Sequence, residues 1–499
     1  MMTLIPKEVK LWIQEGPGAL HYAWYPGYAT TVVMAKQHEF SYDFNLTIIK
    51  DEMFIYCYDE HDIMRLGDLV KSKHKQDSKY TQKLIEEWKP RVNAMYDLGN
   101  DIDHIDLTLF LDDELVDLFE RYTNLYNEEY AIPILGDAIG YYCEVEIKKL
   151  LMKHLKELGR ENEFNQILSI IAQPVKDSFI TKEKNELLEL VIKFMNNENI
   201  DNQLEEHRKK WKWIQNNYER GIILEKEFFL VRIKDHAREP LDKIQNKLNN
   251  YEGEFKNSVE KKKQLIEELN LEEELKLVIT IMEEYGHWQD VRKKANLIAH
   301  HYIGVFLREV SRRMSIPLED LEQGTYMPDI IAILNKTNTD AVKDGKLIKE
   351  VIEARKDIVG MIHTPNSSIV YNHEDSKKLY EEVQLQYEQT GGKDILGTVA
   401  NTGKVIAVAK VISGPKDFEK LEQNEIIITS MTRPEFIPIM KKAAAIVTDE
   451  GGISCHAAIL SRELGIPCII GTKIATKTIK DGDLIEVNAN HGIVSKIIK

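Results

Sequence analysis

The chain has 499 residues and a mass of 57.8 kDa, enough for roughly two to four domains that each bury a core. Its 66 Lys+Arg against 82 Asp+Glu give a net charge of −16, which argues against broad attraction to nucleic acid or to an anionic membrane. The four cysteines, Cys57, Cys143, Cys455 and Cys468, are scattered without a C-x-x-C pair, so free thiols and no zinc site are expected. The start MMTLIPKEVKLW lacks a signal-peptide pattern, and no apolar run is long enough to span a bilayer, so a cytoplasmic protein is expected.

In chain order, residues 1 to about 65 mix turn residues with the apolar runs TTVVM (30–34) and EMFIYCY (52–58), which predict some strand. From about 75 to 350 apolar residues recur at helical spacing among lysines and glutamates. Residues 1–390 are therefore predicted to be mostly α-helical, with a subdivision near 200 left open. Gly221 marks a candidate helix break, and NNYEG is expected to split 240–275 into an exposed helical hairpin. GMIHTPNSSIVYN predicts two short strands about a Pro-Asn turn, and KKLYEEVQLQYEQTGGKD a helix closed by glycines. Thr390-Gly391-Gly392 then begins a hinge, placed at 391–396, because glycine accepts large backbone changes. Residues 397–499 alternate β-rich runs with two short helical segments and predict a compact α/β domain.

Inside that domain, Ile446 to Thr472 holds the densest chemistry. A strand (AAAIV) runs into Thr448-Asp449-Glu450, a Gly451-Gly452 turn and a helix from about Cys455 to Leu464, which Gly465 and Pro467 end. Ser454 is placed to cap this helix and His456 lies in its first turn. Unpaired amides and the helix dipole would favour an anion there and keep the imidazole neutral, so that one ring nitrogen retains a lone pair for attack on phosphorus. Gly451 and Gly452 would let the backbone approach a phosphate, with Thr448 and Ser454 as hydroxyl donors. The alternative, a histidine in an ordinary helix cap, does not account for strand, glycine pair, cap and terminator together.

The run Gly451-Gly452-Ile453-Ser454-Cys455-His456-Ala457-Ala458-Ile459-Leu460-Ser461-Arg462, followed by Glu463-Leu464-Gly465-Ile466-Pro467, resembles the active-site signature of the PEP-utilising enzymes, among them phosphoenolpyruvate synthase, pyruvate phosphate dikinase and rifampicin phosphotransferase. The resemblance implies that 397–499 is a swivelling phosphohistidine domain, that His456 accepts phosphate, and that Thr448, Gly451, Gly452, Ser454 and Arg462 support the anion. Cys455 stands where the family often has serine or threonine, and Ala407 where the opening GTVANTGKVIAVAKV often has glycine. More loosely, roughly 200–390 resembles the substrate domain of the rifampicin-phosphotransferase-like proteins, through Tyr285-Gly286-His287-Trp288-Gln289-Asp290-Val291-Arg292 and the helix that follows.

No glycine-rich phosphate loop of the form G-x-x-x-x-G-K-[ST] occurs, and the residues after His456 are too few for a phosphoenolpyruvate barrel. The resemblance then implies a split system, as in phenylphosphate synthase: a separate ATP-grasp subunit, bringing ATP and magnesium, phosphorylates His456, and the domain swings to deliver phosphate to a small hydroxylated or carboxylated acceptor. A binding or regulatory protein that retains the histidine domain is the alternative reading. A phosphoenolpyruvate-dependent sugar phosphotransfer component is a third. Within the helical region His287, Arg292, His300, His301, Arg308 and Arg312 are candidates to meet phosphate or acceptor, and 301, 308 and 312 approximate one helix face; interhelical or surface salt bridges are the competing explanation. The aromatic run His21-Tyr22-Ala23-Trp24-Tyr25-Pro26-Gly27-Tyr28, with Tyr126, Tyr130, Tyr141 and Tyr142, could wall a pocket or simply pack the core. Asp112-Asp113 is expected to be an exposed helix start.

Overall fold

The computed structural model describes residues 3–388, 395–453 and 455–497. Its first part is a helical body around a small antiparallel sheet. Strands β1 (Leu11–Pro17), β2 (Asn45–Lys50) and β3 (Met53–Asp59) come early, and a two-residue turn at Asp51 and Glu52, both at positive φ, joins β2 to β3. A minor hairpin, β4 (Val342–Lys343) and β5 (Lys346–Leu347), precedes β6 (Ile358–Thr364) and β7 (Ser367–Val370). The sheet order is β1-β3-β2-β6-β7, so a strand some 300 residues downstream pairs with β2 and closes the body.

The helices that matter below are α1 (Leu20–Tyr28), α2 (Asp112–Tyr130), α3 (Leu135–Glu157), α4 (Phe164–Ile171), α5 (Phe179–Met195), α6 (Leu241–Glu268), α7 (Glu273–Met314) and α8 (His373–Glu388). One apolar core runs from Ala19 to Met361 and takes in all of these helices except α8, whose Leu379 and Val383 join a second cluster against the sheet, so position 200 does not separate two cores. Helix α7, 42 residues long, threads this core and buries one face along most of its length.

Two sequence expectations change in this part. TTVVM is helical, because Ala29–Val33 continues α1 as a wide π turn; Thr30 and Thr31 both return their hydroxyls to Gly27 O, at 3.2 and 2.8 Å, and burial overrides β-branched preference. NNYEG does not break the chain, since α6 passes straight through it and the reversal comes at 269–272, with Asn270 at positive φ. A single interior glycine costs only about 1 kcal/mol against alanine, too little to end a 28-residue helix. The break at Gly221 is present, and a Cβ there would lie 2.5 Å from His300 O, so only glycine lets this segment cross α7 so closely. EMFIYCY is β3, and the strand pair about Pro365-Asn366 is β6 and β7.

The second part is an eight-stranded mixed sheet: β8 (Ile395–Leu396), β9 (Thr398–Asn401), β10 (Lys404–Val411), β11 (Ile426–Thr429), β12 (Ala445–Thr448), β13 (Cys468–Ile470), β14 (Leu484–Asn488) and β15 (Ile493–Lys496). Its order is β8-β15-β14-β10-β11-β12-β13-β9, with β10 to β13 parallel and an apolar cluster on each face. Because β8 pairs with β15, residues 395 and 396 belong to the sheet and not to the expected hinge; 391–394 lie outside the described residues. Helix α9 (His456–Leu464) packs against β9, β12 and β13 and ends at Gly465 in the left-handed conformation, with Pro467 beyond. Among the described residues no helix is long and apolar enough to cross a membrane.

Candidate functional site

Two neighbouring parallel strands bring the site together. In register, Thr429 of β11 faces Thr448 of β12, and at their carboxyl ends the chain forms two loops, 430–436 and 449–455. Ligands of open α/β sheets gather at such strand ends. The second loop is tightly held. Asp449 N–H donates to Thr429 O at 3.0 Å and Glu450 N–H to Ser430 O at 2.8 Å, while the Asp449 carboxylate accepts from Thr472 Oγ1 at 2.8 Å and from Thr476 N–H at 3.1 Å. Gly451 sits at φ 109°, with a hypothetical Cβ only 2.6 Å from Cys455 Sγ, so the turn into α9 requires glycine. Gly451→Ala is therefore expected to lower the melting temperature of this domain through strain of roughly 1–3 kcal/mol, readable by calorimetry.

His456 is the first residue of α9 and its ring is half-buried. Cys455 is the N-cap and makes no side-chain capping bond, which displaces the cap one residue from the expected Ser454; Ser454 itself lies outside the described residues. His456 Nδ1 is 2.7 Å from Thr432 Oγ1, on the loop after β11. Burial, and then the charge of Lys293 on α7, bring the imidazole pKa down to about 3, so the ring is neutral near pH 7. The neutrality expected from the helix terminus is thus reached through desolvation and a cation of the helical body. When Nδ1–H donates to Thr432, Nε2 keeps its lone pair.

The other expected phosphate ligands are partly committed elsewhere. Thr448 is fully buried and its hydroxyl donates to Glu450 O at 2.6 Å, so it braces the turn instead of offering a free donor. Arg462 donates to Ile453 O and Ala400 O, each at 2.8 Å, and clamps the loop; only Nη1 lacks a partner. Gly452 and Ile453 face the helical body, where Glu144 of α3 accepts the Ile453 N–H at 3.2 Å.

The domain rests on the body along this edge. Ile453 joins the body's core, Lys148 donates to Thr398 Oγ1 at 2.7 Å, Asn165 to Asn490 O at 2.8 Å, and Arg433 to Pro17 O at 3.3 Å. Of the helical candidates, Arg292 is buried and donates to Asp137 at 3.1 Å and to Tyr130 OH at 3.3 Å, with Nε left unpartnered. From there polar contacts continue through Tyr218, Asn296 and Tyr126 to His300, whose Nε2 is 3.1 Å from Tyr126 OH. His287 is half-buried, its pKa lowered by burial and by Lys176 and Lys182. His301 and Arg308 instead secure the Gly221 segment, bonding Ile222 O and Gly221 O, while the exposed Arg312 pairs with the buried Glu309 one turn earlier in α7. The proposed 301–308–312 face is therefore no single site, because two of its members are spent on the crossing at Gly221. Tyr22 and Tyr25 are core, and Tyr141 and Tyr142 bond Glu60 and Asp68.

Two open cavities lie away from the His456 loops. One of about 600 Å³ lies by Lys36, His38 and Lys73, and one of about 330 Å³ by Trp24, Tyr28 and Tyr326. The described His/carboxylate group His154–Glu157–Glu272 surrounds Lys153, which pairs with both glutamates, so it does not suit magnesium. Thr432 and Lys293 escaped the sequence reading. Thr432 could have been found, since Thr-Arg-Pro follows the EIIITS run, which neighbours AAAIV, after the single residue Met431; Lys293 depends on how the two parts dock.

Residues 421–492 match the family model of the PEP-utilising enzyme mobile domain. A probable phosphoenolpyruvate synthase of Archaeoglobus fulgidus is 42% identical over 157 residues, covering 30% of this chain and 20% of that protein. Another from Staphylothermus marinus is 49% identical over 102 residues, 20% of this chain and 12% of that protein. An uncharacterized phosphotransferase of Bacillus subtilis, YvkC, is 25% identical over 294 residues, 57% of this chain and 33% of that protein. The alignments thus span a third or less of these relatives' length, and the Bacillus match extends well beyond the C-terminal domain.

Proposed function

We propose, from the premise that residues 421–492 form a mobile domain of the PEP-utilising enzymes, that this chain is a phosphotransferase component: His456 accepts a phosphoryl group and hands it to a small molecule held by the helical body. The carrying observation is the neutral His456 ring at a helix start, with Nδ1 on Thr432 and, among the described residues, no hydrogen bond to Nε2. Nε2 attacks phosphorus, the N–P bond forms, and the donor leaves with the P–O electrons. An acceptor oxygen then attacks the same phosphorus and returns the lone pair to Nε2.

The sequence carries no glycine-rich nucleotide loop, so the reading takes the phosphate from a separate ATP-grasp subunit that would hold ATP and magnesium. The acceptor would meet the polar chain from Asp137 and Arg292 to His300, whose tyrosines and amide suit a hydroxylated or carboxylated compound. Incubation with labelled ATP, with and without an ATP-grasp protein encoded nearby, tests the division of labour. Label should enter only with the partner; labelling of the chain by itself would overturn the split arrangement.

Thr432 is a positioning residue in this scheme. Thr432→Val removes the acceptor that selects the Nδ1–H tautomer, and phosphorylation should slow by about tenfold or more, the worth of one or two kcal/mol of hydrogen bond. Thr432→Ser should restore the rate, and an unchanged rate in Thr432→Val would remove Thr432 from the mechanism.

A further inference from the structure

Helix α1 has different surroundings on its two sides. Tyr25 packs inward, its ring centroid 5.3 Å from that of Tyr126 in the polar chain. Trp24 and Tyr28, one turn apart, stack on each other at 4.6 Å with an interplanar angle of 17°, and Tyr326 brings a third ring to 5.9 Å from Trp24. These three rings line the cavity of about 330 Å³, together with Asn127 of α2, Met327 at the start of the helix Met327–Asn335, and Ser368 of β7. Its size and aromatic lining suit a small molecule. No residue of the polar chain from Asp137 to His300 lines it, so it is separate from the place given above to the phosphate acceptor.

Two of the lining side chains carry buried polar atoms that find no partner among the described residues: Trp24 Nε1, which can only donate, and Asn127 Oδ1, which can only accept. Trp24 is 4% exposed and Asn127 3%. Such groups cost free energy until something bonds them, so a compound presenting one acceptor and one donor gains at both. The Ser368 hydroxyl is already engaged with His363 Nδ1 at 2.9 Å. Charge is excluded by the lining: among the described residues it holds no ionisable acid or base, and the Arg355 guanidinium, 5.2 Å from the Tyr326 ring, is bonded to Asp329 at 2.7 Å. An ion entering here would lose hydration and meet no counter-ion.

We propose that this cavity is a binding site for a small, flat, uncharged ring compound that carries an amide-like donor and acceptor, with Trp24 Nε1 donating to its acceptor and Asn127 Oδ1 taking its donor. The aromatic corner of Trp24, Tyr28 and Tyr326 selects the flat ring, and the two polar atoms select its neutral substituent. The site stands whether or not His456 carries phosphate.

Methyl NMR of the full chain, labelled at methionine and with the Met327 signal assigned through Met327→Leu, tests this with benzamide as the probe. Benzamide should move the Met327 methyl signal saturably. Benzoate, which is charged, and methyl benzoate, which lacks the N–H donor, should each bind about tenfold more weakly or worse, the worth of one hydrogen bond. Asn127→Leu, close in volume but without the amide, should weaken benzamide binding by a similar factor, with an unchanged melting transition reporting an intact fold. The site is overturned if benzamide gives no saturable shift, if the three compounds bind alike, or if a folded Asn127→Leu binds benzamide as the wild type does. Should Asn127→Leu fail to fold, the comparison of the three compounds on the wild type still decides.

Discussion

Replacing His456 with asparagine should leave a folded chain that takes up no acid-labile phosphate. The ring is half-buried and, among the described residues, makes one side-chain hydrogen bond, to Thr432, so its loss is expected to cost only about 1 kcal/mol of stability. Phosphate uptake, in contrast, should fall by roughly a thousandfold or more, because no other described nucleophile occupies the junction of the β11 and β12 loops with a free lone pair. Cys455 is next to it, but burial pushes its thiol pKa up, which disfavours the thiolate. Acid-labile, alkali-stable label that persists in His456→Asn at the wild-type level would displace the nucleophile from this position.

Mild acid should unfold the helical body. His21, His300 and His363 are fully buried and His301 nearly so. Burial brings the first three down to a pKa of about 3 and His301 to about 4. In the unfolded chain each titrates near 6.5. Below about pH 6.5 the unfolded state binds protons that the native state refuses, so the stability present above that pH is lost as pH falls towards 4 and then 3. Glu129 works in the other direction: burial raises its pKa to about 8, so the native state holds a proton there that the unfolded chain releases above its usual carboxylate range. Four histidines less one carboxylate leave a net three protons, or an upper limit of about 4 kcal/mol per pH unit between 6 and 5. Since whole domains are stable by only about 5–15 kcal/mol, the denaturant midpoint should collapse between pH 7 and 5. His363→Gln should flatten that slope by one proton. Equal midpoints at pH 7 and 5 would rule the account out.

Much of this protein could be read from residue order alone wherever local rules governed. The strand, glycine turn, helix and Gly465-Pro467 terminator around His456 obey short-range backbone preferences, and they appear within a residue of expectation, the cap falling on Cys455. The mixed character of the C-terminal domain and the strand pair at 358–370 follow in the same way. TTVVM and NNYEG were misread because burial and helix length outweigh the modest propensities of β-branched residues and one glycine.

Only the tertiary structure could decide the surroundings of the histidine. Thr432 meets it through the pairing of β11 with β12, and Lys293 and Glu144 arrive from helices 160 and more residues upstream. Likewise His301 and Arg308, which share a helix face with Arg312, turn out to serve a backbone crossing at Gly221. Chain order encodes the nucleophile and its turn because these depend on neighbouring φ and ψ. Which charges, acceptors and carboxylates surround it depends on packing between segments far apart in the chain, and periodicity carries no record of that.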